Sequence, residues 1–317
     1  MIRITPFHRE LGDIWNKFVR SAKNGSFLFD RDYMDYHSDR FVDASLLFHE
    51  GEELVGLLPA SIAGDVLSSH GGLTFGGVIS DDRMRTGRML EIFEAMRRHY
   101  GSLGVLRIDY KPVPHIYHRL PAEEDLYALF RAGARLVRRD VSASVRSQGR
   151  PPYTKGRRYS VNRSQKTPLE LTVSEDFHEF MLLEEEHLLR KFNTRPVHSG
   201  AEMQLLASRF PANIRLHVAR HEGELLCGVI IYESDQVAHA QYIASTDKGK
   251  QLCALDALVN HLLTVVYVEK PIFDFGISTE KQGQYLNSGL MENKESYGAR
   301  AVVYDFYQFN TSERELD

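Results

Sequence analysis

The segment FDFGISTEKQGQYLNSGLMENKESYGARAVVY, from Phe273 to Tyr304, decides how this chain is read. An apolar run carries Asp274 to Gly276, where the missing Cβ permits a sharp change of backbone direction. A polar stretch follows, Gly289-Leu290 leads into Lys294-Glu295, and Gly298 marks a second turn before a closing apolar strand. Strand, turn, short helix, turn and strand describe part of a mixed α/β layer.

Parts of this order occur twice. His49-Glu50-Gly51-Glu52 and His221-Glu222-Gly223-Glu224 each sit between two apolar runs and predict β-hairpins. Leu106 to Asp109 and Ile272 to Asp274 read as strand ends, and each aspartate is followed at the same distance by Gly-Ala-Arg, beginning at Gly133 and Gly298. Helical spacing appears at Met89, Leu90, Phe93 and Met96, and again at Leu252, Leu255, Leu258, Val259 and Leu262. A shared order of landmarks predicts an internal duplication. The boundary is expected near Gly149-Arg150-Pro151-Pro152, giving domains 1–150 and 151–317, with a further helix over Phe177 to Phe192 capped by Ser174.

Hydrophobic residues at 43% and charged residues at 26% describe a globular chain of 317 residues. No apolar run resembles a signal peptide or approaches a membrane helix, so a cytoplasmic location is expected. Cys227 and Cys253 are too few for a disulfide framework or a thiolate metal site and read as buried small hydrophobes. Glu184-x-x-His187 and His115-x-x-His118 lack the further ligands a metal centre needs, and no metal is expected. The formal charge of -4 hides one basic stretch, Arg146 to Lys166, which holds seven cations and no acid. Lys155, Arg158, Asn162 and Lys166 fall there at helical spacing, and Arg163 adds charge; the run reads as a phosphate-binding face or as a solvated helix.

The order Asp-Phe-Gly, Gly-Leu, Lys and aromatic-Gly in the opening segment resembles the closing signature of the FemABX-type acyltransferases, which are built from GNAT-like domains. The resemblance implies two tandem GNAT-like domains of mixed α/β class and an N-acyltransferase acting on an amino group of a sugar or cell-envelope glycan precursor. Lys294 matches the lysine of the Gly-Leu-x-x-Phe-Lys-x-x-Phe-Gly pattern, with Asn293 replacing the usual aromatic, and is expected to stabilise developing negative charge; without the resemblance it is a lysine on a short helix. Leu106-Arg107-Ile108-Asp109 resembles the strand end whose aspartate lies near the acceptor, so Asp109 is expected to handle the amine, or else to cap a turn.

The cluster Ser69 to Gly77 resembles an acceptor-lining strand, which nominates His70, Gly72 and Thr74 for substrate binding, His70 also as a base, against the alternative of a bulged packed strand. Tyr242 and Gly276 join the substrate-binding set, together with Lys155, Arg158 and Arg163. The resemblance implies acyl-CoA or aminoacyl-tRNA as the donor and leaves open which of the two. Thr246-Asp247-Lys248-Gly249-Lys250 has the wrong glycine spacing for a pyrophosphate loop. Partners implied are an activated sugar or envelope glycan precursor and tRNA, not DNA. Two alternatives stand beside this reading: tRNA-dependent aminoacyl transfer to a peptidoglycan precursor, and a non-catalytic binding protein that keeps the fold.

Overall fold

A computed structural model describes residues 1–312, apart from the Phe192 side chain. Both hairpins form. Leu46–Glu50 pairs with Glu53–Leu58 around Gly51 at φ 59°, and Ile214–His221 pairs with Glu224–Glu233 around Glu222 and Gly223 at φ 52° and 80°. The chain divides into two compact units: Met1–Asp140 with Lys281–Tyr285 and the strand from Val303 onward, and Val141–Glu280 with Leu286–Val302. Both are discontinuous in sequence, where the sequence reading placed one cut between 150 and 151.

In the first unit, Ile2–Pro6, Leu46–Glu50, Glu53–Leu58 and Ile79–Ser80 form a four-stranded antiparallel sheet. A second ladder runs from Val42–Asp43 through Ser61–Ala63 and Val66–Ser68 to Arg107–Tyr110, whose other edge pairs with residues 307–310. Helix Thr86–Ser102 turns Met89, Ile92, Phe93, Met96 and Tyr100 inward, and the core joins them to Phe48, Val55, Leu67, Ile108 and Tyr110. In the second unit, Glu170–Ser174, Ile214–His221, Glu224–Glu233 and Val237–Ser245 run antiparallel in sequence order. Val237–Ser245 is then parallel to Ile272–Ile277, whose other edge pairs antiparallel with residues 142–146. Its core gathers Val229, Ile231, Ala238, Leu258, Val259, Leu262, Phe273 and Phe275.

The duplication expected from the sequence has a geometric counterpart. A parallel neighbour demands a crossover, and each unit makes one through a helix, Thr86–Ser102 or Ala254–His261. Each resulting parallel ladder is three pairs long and ends on an aspartate: Ser68 faces Asp109, and His239 faces Asp274. Short helices Glu124–Arg131 and Ser288–Glu295 follow, then Gly133 (φ 67°) or Gly298 (φ 89°), then a strand opening at Arg135 or Arg300. Each Gly-Ala-Arg is thus a helix stop and a strand start.

Helix Phe177–Phe192 forms as expected, but its cap is Asp176 rather than Ser174. The Asp176 carboxylate accepts from the Glu179 amide at 2.8 Å, while Ser174 Oγ accepts from the Asp176 amide. An anionic acceptor next to the first turn also complements the helix dipole. Among the described residues no helix is long and apolar enough to cross a membrane.

Gly298 and Gly51 share a left-handed backbone but not their surroundings. A Cβ on Gly298 would lie 2.3 Å from the Pro151 carbonyl oxygen, whereas one on Gly51 meets nothing within 4 Å. Gly51→Ala is therefore expected to cost about 1 kcal/mol from backbone strain alone. Gly298→Ala adds the displaced carbonyl and should cost about 2–4 kcal/mol. Urea denaturation of the two variants checks the contrast, and equal losses would contradict it.

Candidate functional site

The parallel ladder of the second unit stops at the His239–Asp274 pair, and beyond it the strands keep different partners. Residues 240–245 stay with the 224–233 strand. Gly276, at φ 76°, takes the other strand through a register break, so that Ile277 meets Ser142. A fork opens where the two part.

Asp274 lies at its root, fully buried. Ser142 Oγ and Ser144 Oγ donate to one carboxylate oxygen at 2.6 and 2.7 Å, and His239 Nδ1 lies 2.7 Å from the other. Burial would raise this carboxyl, but the hydrogen bonds from His239 and the two serine hydroxyls outweigh it and hold the pKa below its ordinary value. An ionised acceptor on Nδ1 fixes the proton there and leaves the lone pair of a neutral imidazole on Nε2. That edge of the ring rests against Gly276: a Cβ there would stand 3.4 Å from Cε1 and 3.9 Å from Nε2. Nε2 has no hydrogen-bond partner among the described residues.

Lys294 reaches the same turn from helix Ser288–Glu295, which Asn287 caps through the Leu290 amide. Its Nζ donates to the carbonyls of Gly276 and Ile277, both at 2.8 Å. Burial lowers its pKa to about 8 against the opposing pull of Asp274. At neutral pH it is still mostly an ammonium, with two of three hydrogens committed and the third without a protein partner among the described residues. Tyr242, buried on the 237–245 strand, has its hydroxyl 2.6 Å from His198 Nδ1. Helix Phe177–Phe192 packs on that strand and buries Glu184, whose carboxyl is pushed up to about 7 by burial and whose Oε2 has no hydrogen-bond partner.

The basic segment forms helix Lys155–Ser164 and splits by face. Arg157 turns inward, donating to Asp256, to the Tyr297 hydroxyl at 2.9 Å and to Ser296 Oγ at 2.8 Å, with its guanidinium 4.0 Å from the Tyr297 ring centre. Lys155, Arg158 and Arg163 are exposed. At Thr246–Lys250, Thr246 Oγ1 accepts from the Gly249 amide and a Cβ on Gly249 would strike the Leu226 carbonyl, so this glycine serves close packing. Lys248 pairs with Glu224, and Lys250 with Asp247.

In the first unit Asp109 is one-third exposed and pairs with Arg107 Nε at 3.0 Å. It borders a cavity of about 340 Å³ with Gly71, Lys111, Arg138 and Tyr307. Lys111 Nζ donates to the carbonyls of His70 and Leu73, and burial lowers its pKa to about 8. The glycine cluster is a turn rather than a strand, with His70 at φ 60°. A Cβ on Gly72 would collide with the rings of His37 and Phe41, which accounts for the glycine by packing, while Thr74 is exposed. Burial first, then the charges of His37 and Lys111, drive the His70 pKa down to about 3. Such an imidazole stays neutral and is a poor base near neutral pH; hydrogen bonding is what it retains.

Sequence reasoning nominated Lys294 and Gly276, which the structure brings to one turn, but missed His239. The only signal for it, a histidine set opposite Asp274, requires the strand register to be known. Asp274→Ala would leave two hydroxyls and an imidazole N–H without their buried acceptor and is expected to cost about 3 kcal/mol or more. Because the folded pKa is depressed, the carboxylate's contribution is complete above its ordinary 3.8 and fades as pH falls through the folded value. Urea midpoints at neutral and acid pH should therefore converge for the two proteins.

No family profile and no curated protein matches this sequence. Solved structures do. FemX is 10% identical with a TM-score of 0.68 over 96% of each chain. The C-terminal domain of a putative lysylphosphatidylglycerol synthetase from Agrobacterium fabrum is 14% identical, TM-score 0.59, over 96% of this chain and 92% of that one. A tandem GNAT protein from the clavulanic acid biosynthesis pathway is 12% identical, TM-score 0.53, over 99% and 100%. At these identities the likeness is one of fold. The chain has the mixed α/β tandem GNAT-like fold of these structures, as the opening segment led us to expect.

Proposed function

We propose that the protein transfers an acyl or aminoacyl group to an amino group of a sugar or cell-envelope glycan precursor. The fork of the second unit carries this reading, because it sets a buried ammonium, Lys294, against the turn at Gly276. Acyl transfer builds negative charge on the carbonyl oxygen, and a desolvated cation with one uncommitted N–H stabilises that charge far better than water does. Tyr242 and Gly276 would contact the acyl portion. In the first unit Asp109 borders a cavity that would take a cationic portion of a substrate, and His70, Gly72 and Thr74 belong to the turn that contributes Gly71 to its wall. Lys155, Arg158 and Arg163 would meet phosphates of acyl-CoA or aminoacyl-tRNA. No metal enters the scheme.

The exposed face of helix Lys155–Ser164 favours a second reading, aminoacyl transfer from tRNA to a peptidoglycan precursor. Incubation with acyl-CoAs or aminoacyl-tRNAs and nucleotide amino sugars or peptidoglycan precursors, with products followed by mass spectrometry, separates the donors. No product and no thermal shift with any of them would favour a binding protein without catalysis.

With an active pair in hand, Lys294→Ala is expected to lower kcat about 100- to 1,000-fold. The wild-type rate should fall as pH rises through about 8, where Lys294 loses its charge, and Lys294→Arg should carry that limb upward. An unchanged alkaline limb would remove Lys294 from this role. If tRNA is the donor, Lys155→Glu, Arg158→Glu and Arg163→Glu together should weaken its binding at least tenfold and flatten its salt dependence, leaving thermal stability unaltered.

A further inference from the structure

We infer that His239 is the proton acceptor of the transfer step, held in place by Asp274. The inference rests on the acyltransferase reading above. Asp274 fixes Nδ1 as the protonated nitrogen and so leaves Nε2 as an acceptor at the fork. Gly276 keeps that edge uncovered, since any side chain there would begin 3.4 Å from the ring. Lys294 holds the Gly276 carbonyl from helix Ser288–Glu295. A proton acceptor and a donor for the oxyanion therefore flank one residue, Gly276.

The first unit argues that this histidine is not there for the fold. Its parallel ladder has the same length and ends on Asp109, yet the facing residue is Ser68 and the carboxylate is satisfied by Arg107. The architecture closes without an imidazole. In the second unit the aspartate is instead withdrawn from water and spent on three donors, two of which are serine hydroxyls that hold it still for the third.

The step balances. The neutral acceptor amine attacks the donor carbonyl carbon, forming the N–C bond while the π pair moves to oxygen beside Lys294. The amine N–H proton passes to His239 Nε2, and Nδ1–H stays on Asp274. On collapse the oxygen pair re-forms the carbonyl, the bond to the leaving group breaks, and that group departs with its electron pair and takes the proton back from Nε2. An acceptor that arrives as an ammonium first loses one proton to solvent.

Two measurements test this. Diethyl pyrocarbonate acylates unprotonated, accessible imidazole nitrogen, and peptide mapping locates the adduct. His239 should be modified at Nε2, whereas His217, whose Nε2 faces the Tyr267 hydroxyl, should be protected, and Asp274→Asn should slow the reaction at His239. Protection of His239 equal to that of His217 overturns the inference even if no substrate is ever found. With an active donor and acceptor, His239→Gln should lower kcat about 100- to 10,000-fold with KM nearly unchanged and the thermal midpoint held. A kcat within threefold of wild type would sink the role of His239 while leaving the acyltransferase reading intact. Absence of transfer by the wild type under every donor would instead defeat that reading, and the mapping would then decide the chemistry of His239 alone.

Discussion

A carboxylate with no access to water is the constraint on which the second unit turns. Burying an ionised group costs several kcal/mol unless partners in good geometry replace the lost hydration. Asp274 finds its three partners on two other strands, Ser142 and Ser144 on one edge and His239 on the other. Ser142 and Ser144 are two residues apart and so face the same way. A slip of one residue in either ladder would turn those partners away and strand the charge. The carboxylate therefore fixes the register of three strands at the point where two of them separate.

That separation creates a second demand. Once the 272–277 strand leaves the parallel ladder, the carbonyls of Gly276 and Ile277 need donors, and the Lys294 ammonium supplies both. Burial lowers the proton affinity of this lysine, and the nearby Asp274 charge raises it. The two ions thus support each other around the Gly276 turn, one holding the strands together and the other bracing the gap. Rigid support of this kind is what a site needs if charge is to develop there without reorganisation.

Much of the scaffold was legible because it is written locally. Gly51 and Glu222-Gly223 announce their hairpins, Gly133 and Gly298 announce helix ends, and the apolar spacing of Phe177 to Phe192 gives the helix. The cap at Asp176 was missed because two good capping residues stand two positions apart and only the geometry of the first turn chooses between them. The glycine cluster at Ser69 to Gly77 was expected as a strand from the resemblance alone; the backbone turns there instead, with His70 at φ 60°. Long-range pairing was out of reach. Nothing periodic in Val303 onward says that it belongs with the first unit, and a single histidine in the apolar 237–245 strand has no meaning until Asp274 is placed opposite it.

The repeat itself explains why the two aspartates have different characters. Asp109 and Asp274 end ladders of equal length, and each is followed by a lysine that braces carbonyls nearby, Lys111 in the first unit and Lys294 in the second. What differs is the facing residue and the access to water. Ser68 brings no imidazole, and Asp109 stays partly solvated and paired with Arg107. His239 converts the equivalent position into a buried pair with a defined proton. One scaffold thus yields a partly exposed carboxylate in one unit and a buried, hydrogen-bonded one in the other, and it was the duplicated strand end, the feature most readable in the sequence, that made the difference between them visible.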